Sequence, residues 1–296
     1  MIDPNLLKSL PVIADGSPSG RLRELHPLAP EPPEGLNLVD PDAVTAVHGE
    51  FVQAGATLLR TNTAAANPVL LEPFSLRERC EAINAGAAAC VRGATLGKGL
   101  LMGTLGQIDP RGPATRPERE RAYGEQMVYL SDMEVTFFLL HHFDHLEEAL
   151  LVLGMAQSSS DALVLAQLSF DERGMTADGF SLEVAGARLM EAGAGALGLG
   201  CSTGPAAALE MAPTLMGLSP VISVMPGIAG PAARSDPATQ NPGAGEMSPE
   251  EFAQAMLPLA GMGVAILGGC CGVTPRHTAA LARHCAGRGG RVRGDA

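Results

Sequence analysis

The sequence predicts one α/β domain, a (β/α)8 barrel, and three observations point there. Eight short apolar runs recur along the 296 residues. Their middles are apolar at consecutive positions, as in parallel strands covered on both faces. Helix-like stretches separate them, and eight β-then-α units in a chain of this length are what a closed barrel requires. A doubly wound open sheet is the alternative. It would carry a Gly-rich phosphate turn after its first strand, and "DGSPSGRL" is a poor G-x-G-x-x-G. No internal repeat is similar enough to mark a solenoid.

The runs, in order, are "PVIADG" (11–16), "ATLLRTNT" (56–63), "GLLMGTLG" (99–106), "VTFFLLHH" (135–142), "ALVLAQLSF" (162–170), "AGALGLGCS" (194–202), "PVISVMPG" (220–227) and "VAILGGCCG" (264–272). The clearest helical stretches are 41–55, 75–94, 146–157, 248–261 and 274–287. Several open with a Ser, Thr or Asp cap, followed in "DP" and "TP" by Pro at the first helical position. The barrel is expected over 1–288, with a flexible tail at 289–296. Three long Pro/Gly-rich segments, 17–40, 104–117 and 228–247, follow strands. They are therefore expected as βα loops on the C-terminal face, the third as a mobile lid.

Composition narrows the function. A net charge of −12 argues against nucleic acid as a partner, since phosphate binding needs clustered Lys and Arg. The start shows no basic segment leading into an apolar run, and no stretch of about 18 apolar residues occurs. A cytoplasmic chain without membrane contact is expected. Its six cysteines then read as metal ligands, nucleophiles or buried small residues rather than disulfides.

Polar and sulfur-bearing residues collect at the C-terminal ends of the predicted strands. Asp15 ends the first, Thr61 and Asn62 the second, His141 and His142 the fourth, Ser169 the fifth, Cys201 the sixth, and Cys270 with Cys271 the eighth. Strands six and eight flank strand seven, so three thiolates can close on one Zn²⁺. Three protein ligands would leave the fourth position open, as in catalytic sites. Gly268, Gly269 and Gly272 would let adjacent cysteines turn onto one ion, where strict alternation would separate them. The competing reading makes all three cysteines buried small residues. That reading is preferred for Cys80, Cys90 and Cys285, which lie on predicted helices. His48 and His277 are likewise read as structural.

These segments resemble those of the zinc-dependent homocysteine S-methyltransferases. "GGCCGVTPRH" is similar to the family's G-G-C-C-G-x-T-P-x-H, and "LGLGCSTGP" to G-x-N-C-S-x-G-P with Gly200 in place of Asn. "FDERGMTADG" resembles F-D-E-x-G-x-T-x-x-G, and the stretch ending "TNTAAAN" resembles one ending T-N-T-F-G-A-N. The likeness runs from about residue 11 to 285 and is nearest the methionine synthase branch. It implies that Cys201, Cys270 and Cys271 bind Zn²⁺ and activate the acceptor. It also implies that Asp15 and Gly16 hold the amino-acid end of homocysteine. Thr61, Asn62, His141 and Ser169 complete the expected substrate-binding set.

Departures from the pattern gather around the amino-acid pocket and spare the cysteines. His141 stands where the family has a Glu facing the substrate amino group, "DGSPSG" replaces "DGAMGT", and Gly227 replaces an Asn. Imidazole cannot replace a carboxylate opposite an ammonium. The expectation is methyl transfer to homocysteine, giving methionine. The alternatives are a different small thiol, such as one bearing a carboxylate near His141, or a non-catalytic thiol-binding accessory subunit. An unrelated barrel enzyme using the cysteines as nucleophiles is a further option. With 296 residues taken up by the barrel, the expected donor is methylcobalamin on a separate corrinoid protein, and a small methylated donor comes second. "HHFDH" (141–145) could also form a second metal site, or supply His141 as a fourth ligand to the same zinc.

Overall fold

A computed structural model describes residues 11–28, 31–135, 137–159, 162–201, 203–228 and 247–287. The expected lid, apart from its two end residues, and the expected tail lie outside these. Eight parallel strands form the sheet: β1 (Val12–Ile13), β2 (Leu58–Arg60), β3 (Leu100–Gly106), β4 (Phe137–Phe143), β5 (Leu163–Leu168), β6 (Ala196–Leu199), β7 (Ile222–Val224) and β8 (Ile266–Leu267). They follow the order β1-β8-β7-β6-β5-β4-β3-β2. The ring closes between β1 and β2, where Thr57 N donates to Ile13 O at 2.9 Å and Asp15 N to Leu58 O at 3.1 Å. The fold is the expected (β/α)8 barrel.

The strand alternation sorts side chains to two sides. Phe138, Leu140, Val164, Ala166, Ile222 and Val224 face outward into the main core against the helices. Val12, Ala14, Leu58, Met102, Leu139, Leu165, Ala196, Val221, Met225 and Ile266 belong to a separate apolar cluster that fills the barrel. Two residues further along the same inward faces, the character changes. Arg60, Thr104, His141, Gln167 and Ser223 follow Leu58, Met102, Leu139, Leu165 and Val221. All five are buried. A polar tier thus sits on an apolar floor.

Local chemistry sets the helix starts. Asp40 accepts from Ala43 N at 3.1 Å to open helix Pro41–Gln53. Ser248 and Glu251 form a reciprocal capping box before Pro249–Met262. Helices Arg116–Asp132, Leu182–Glu191 and Pro205–Met216 also cover the barrel. The first is highly charged along its opening turns, so its sequence lacks a clear apolar stripe, and a Thr115–Glu118 capping box starts it.

The segment 17–40, expected as loop, is partly helical. Ser17 caps Pro18–Leu25 through Gly20 N, and Pro18 supplies the preset first position. A 3₁₀ turn (Pro33–Gly35) and a short helix (Leu36–Val39) follow. Of the segment 104–117, residues 107–115 are loop as expected.

Candidate active site

The C-terminal ends of β4, β6 and β8 bring four ligating side chains together. The β4 end departs from regular pairing: its register with β5 shifts between Leu140 and Phe143. His142 sits there in the left-handed region at φ 62°. For a non-glycine residue this conformation costs of order 1–3 kcal/mol and has to be held by its surroundings. The irregularity undoes the alternation that would send consecutive histidines to opposite faces. His142 Nε2 lies 3.3 Å from Cys270 Sγ, and His141 Nε2 lies 3.7 Å from the same sulfur. The two rings meet edge to face, 4.1 Å between centroids.

A similar device operates after β8. Cys270 N donates to Pro226 O at 2.9 Å, and Val273 N back to Cys270 O at 2.9 Å, closing a tight turn. Gly272 completes it at φ 82°, a value that disfavours any side chain. Both sulfurs consequently face one point, 3.8 Å apart. Cys201 joins from the end of β6, where its Sγ accepts from Cys271 N at 3.4 Å. Ligand atoms of His142, Cys201, Cys270 and Cys271 all lie within 4.8 Å of one another.

The donor set fits a tetrahedral ion bound by sulfur and nitrogen. Two Zn–S bonds of about 2.3 Å at a tetrahedral angle place their sulfurs about 3.8 Å apart, and Cys270 and Cys271 already stand at that separation. Three cysteines with one histidine is a recurrent zinc set. Sequence reasoning placed His142 at the mouth but considered only His141 as a fourth ligand. It is His142 that joins the cluster, because the strand irregularity turns it inward. The remainder of "HHFDH" lies apart from this group: His145 Nδ1 is 2.5 Å from Asp144 Oδ1, and Gln107 Nε2 donates to Asp144 at 2.6 Å.

The cluster is internally polarised. Burial raises the Cys270 thiol, but hydrogen bonds from Cys201 and Cys271 and the charge of His142 bring it well below its ordinary value. Cys201 moves the other way, its proton held by Cys270 and Cys271 and by burial. Burial likewise opposes charge on His142, yet the Cys270 and Cys271 sulfurs prevail and hold its pKa at about 10. His141 falls to about 4, through burial and then the neighbouring charge of His142. His141 is therefore a neutral imidazole. Its Nδ1 is buried without a partner.

Asp15 is buried beneath the mouth. Its Oδ1 accepts from Arg60 Nε at 2.8 Å, and its Oδ2 from Arg60 N at 2.9 Å. Arg60 continues to Gly269 O at 2.7 Å and so ties β2 to the cysteine turn. Burial raises the Asp15 carboxyl above its ordinary value, and Arg60 offsets only part of that rise. With both oxygens on Arg60, the geometry is that of an ion pair. Arg60 did not stand out in the sequence, because a single arginine in an apolar run carries no pattern.

The other expected site residues are placed as follows. Gly16 packs so closely that an added Cβ would meet Val273 O at 2.2 Å. Thr61 Oγ1 bonds Thr63 Oγ1 at 2.6 Å and accepts from Thr104 N at 2.9 Å, linking β2 to β3. Asn62 clamps the first βα segment: Nδ2 donates to Pro33 O at 2.9 Å, and Oδ1 accepts from Ser19 Oγ at 2.9 Å. Ser169 is buried with its Oγ unpaired. Gly227 lies against the cluster, where a Cβ would come within 2.8 Å of Cys201 Sγ. Cys80, Cys90 and Cys285 are buried elsewhere and form no disulfide, and burial pushes the Cys80 thiol up to about 12. Among the described residues no helix is long and apolar enough to cross a membrane.

Fold and site together define a parallel (β/α)8 barrel carrying a thiol–imidazole cluster, able to hold a metal ion, at its C-terminal mouth. The chain belongs to the homocysteine S-methyltransferase family, whose model matches residues 12–285. It is 28% identical to a methionine synthase of Mycobacterium leprae over 279 residues, covering 84% of this chain and 22% of that protein. The chain thus spans about a fifth of the length of the methionine synthases it matches. It is 27% identical to the S-methylmethionine–homocysteine S-methyltransferase of Pongo abelii, covering 83% of this chain and 70% of that protein. Among solved structures, the metallated homocysteine methyltransferase MmuM of Escherichia coli shares the fold. Its TM-score is 0.74 at 20% identity, over 95% of this chain and 99% of that one.

Proposed function

We propose that this chain is a zinc-dependent S-methyltransferase that methylates a small thiol. Cys201, Cys270 and Cys271 would hold the metal, with His142 as the fourth donor at rest. The observation that carries this reading is the set of four ligating atoms within 4.8 Å of one another at a barrel mouth. Family membership supports the reaction class, and homocysteine is the acceptor for which the family is named.

Bound there, zinc would supply the positive charge that keeps the acceptor sulfur deprotonated near neutral pH. The chain's own residues do the rest. The turn at Gly272 aims two sulfurs at one point, and Gly227 leaves room for the third. The Asp15–Arg60 pair fixes the cysteine turn through Gly269 O. Burial of Cys201 and Cys270 excludes water from the inner side. The acceptor would lose its thiol proton to solvent on binding. Its sulfur forms a bond to the methyl carbon while the donor departs with the electrons of the broken bond, so the barrel mouth must admit the donor in line with the sulfur. The donor proposed is methylcobalamin carried by a separate corrinoid protein. It rests on the likeness to methionine synthases, which matches only about a fifth of their length.

Metal analysis of the purified protein with zinc-edge absorption tests the reading. One zinc per chain is expected, and an added acceptor thiol should bring a further sulfur to the metal. Cys201→Ser should lose most of the zinc. Protein that holds no zinc, or that keeps it fully after Cys201→Ser, would remove this assignment.

A further inference from the structure

The polar tier inside the barrel has more unpaired hydrogen-bonding atoms than a core tolerates. Thr104 Oγ1, His141 Nδ1, both amide atoms of Gln167, Ser169 Oγ and Ser223 Oγ are all buried without a partner. Roughly nine in ten buried polar groups in folded proteins are paired, and each lone one costs about 1–3 kcal/mol. Here they come from β3, β4, β5 and β7 and from the residue just beyond β5. All except Ser169 lie at the first inward positions above the apolar floor. Gln167 is completely buried. It runs beneath two glycines: a Cβ on Gly198 would stand 3.2 Å from its Cγ, and one on Gly200 3.4 Å. His141 joins this tier to the sulfur cluster, with Nε2 3.7 Å from Cys270 Sγ and Nδ1 unpaired on the other side of the ring.

The charge among these groups is as informative as their missing partners. Besides Arg60, which is paired with Asp15, the tier contains amide, hydroxyl and imidazole groups, and no acid. Asp15, which pairs with the tier's Arg60, has both its oxygens taken by that residue. An ammonium group brought here would meet a guanidinium and no free carboxylate. A carboxylate would meet donors: Gln167 Nε2, two serine hydroxyls and, in the appropriate tautomer, His141 Nδ1–H.

We propose that this tier receives the far end of the acceptor thiol, and that the preferred acceptor is a short thiol ending in a carboxylate and lacking an α-ammonium. The inference rests on the thiol-methylation reading and names the acceptor class of that same site. A spacer of about two or three carbons suits a molecule that reaches past a single imidazole ring from the sulfur cluster to the tier. Two further buried acids lie at this end of the barrel, and one of them, Glu148, is paired with Arg119 at 2.8 Å. Glu34, on the first βα segment, accepts from Ala65 N at 2.9 Å through Oε1 and leaves Oε2 unpaired. Its unpaired oxygen is the carboxylate atom left for an ammonium-bearing acceptor.

Calorimetric titration of the zinc-loaded full-length protein separates these outcomes. Three thiols of matched length serve as probes: homocysteine, 4-sulfanylbutanoate (the same skeleton without the amine) and 3-sulfanylpropylamine (without the carboxylate). The butanoate should bind at least about tenfold more tightly than homocysteine, the scale set by leaving one buried polar group unpaired. The amine should bind most weakly. His141→Glu should reverse the order of the first two, and the wild-type comparison decides even if that variant does not fold. Tighter binding of homocysteine, lost in Glu34→Gln, would overturn the inference while leaving the thiol reading intact. Binding of none of the three by protein that carries no zinc would remove both.

Discussion

Gly227 offers a quantitative test of how the cysteine cluster is built. It leaves no space for a side chain. A Cβ added there would come 2.8 Å from Cys201 Sγ and 2.9 Å from Cys201 O. Favourable nonbonded contact begins at roughly 3.5 Å, so Gly227→Ala requires a displacement of about 0.7 Å at the sulfur. Metal–ligand distances tolerate about 0.2 Å, and the sulfur can move that far only by leaving its place in the set. The backbone oxygen has no comparable freedom, because Gly227 N itself donates to Cys201 O at 3.3 Å. Overpacking of this kind costs about 1–3 kcal/mol. Gly227→Ala should therefore lower unfolding stability by that amount in urea titrations and weaken zinc binding at least about tenfold in chelator competition. In a Cys201→Ala background the sulfur clash is gone, so the stability loss should shrink, a coupling that a double-mutant cycle reads directly. If Gly227→Ala kept both zinc affinity and stability, or if its penalty were unchanged without the Cys201 sulfur, the packing argument would fail.

Three further outcomes are expected. His142→Ala should remove one nitrogen from the zinc-edge spectrum while the three sulfurs remain, with zinc affinity falling at least about tenfold; an unchanged spectrum would exclude His142 from the metal. Asp15→Asn should destabilise the fold by about 3–5 kcal/mol, since it strands a buried guanidinium, and denaturant titration against wild type would show a much smaller loss if the pair were dispensable. His48 is buried with neither ring nitrogen paired, and burial followed by the charge of Arg60 lowers its pKa to about 4. Its unfolded value is about 6.5, so the unfolded state takes up a proton first. Stability from this group is complete above about pH 6.5 and is lost as pH falls toward 4, by roughly 3 kcal/mol. His48→Leu should remove that part of the acid limb; identical pH profiles for the two proteins would refute it.

Much of this architecture is legible in the chain because it depends on local pattern. Consecutive apolar residues mark strands buried on both faces, and caps such as Asp40 and Ser248 open helices where their side chains bond the first free amides. The candidate cysteines stand out because they fall at strand ends, and strand ends in a barrel converge. The charged helix Arg116–Asp132 is harder to see, since its apolar contacts are interrupted by residues that serve its exposed face. The segment 17–40 hides its helices behind prolines that begin turns as readily as they break them.

Sequence alone determined the barrel, the mouth where functional groups gather, and the likeness that places Cys201, Cys270 and Cys271 in one family pattern. Tertiary structure decided which histidine joins them. Adjacent residues face opposite ways in a regular strand, and only the irregular end of β4 turns His142 toward Cys270. It also decided the state of Asp15, whose partner Arg60 lies 45 positions away on a neighbouring strand. Contacts of that kind arise from closing the ring of strands, which brings together residues that no spacing along the chain relates.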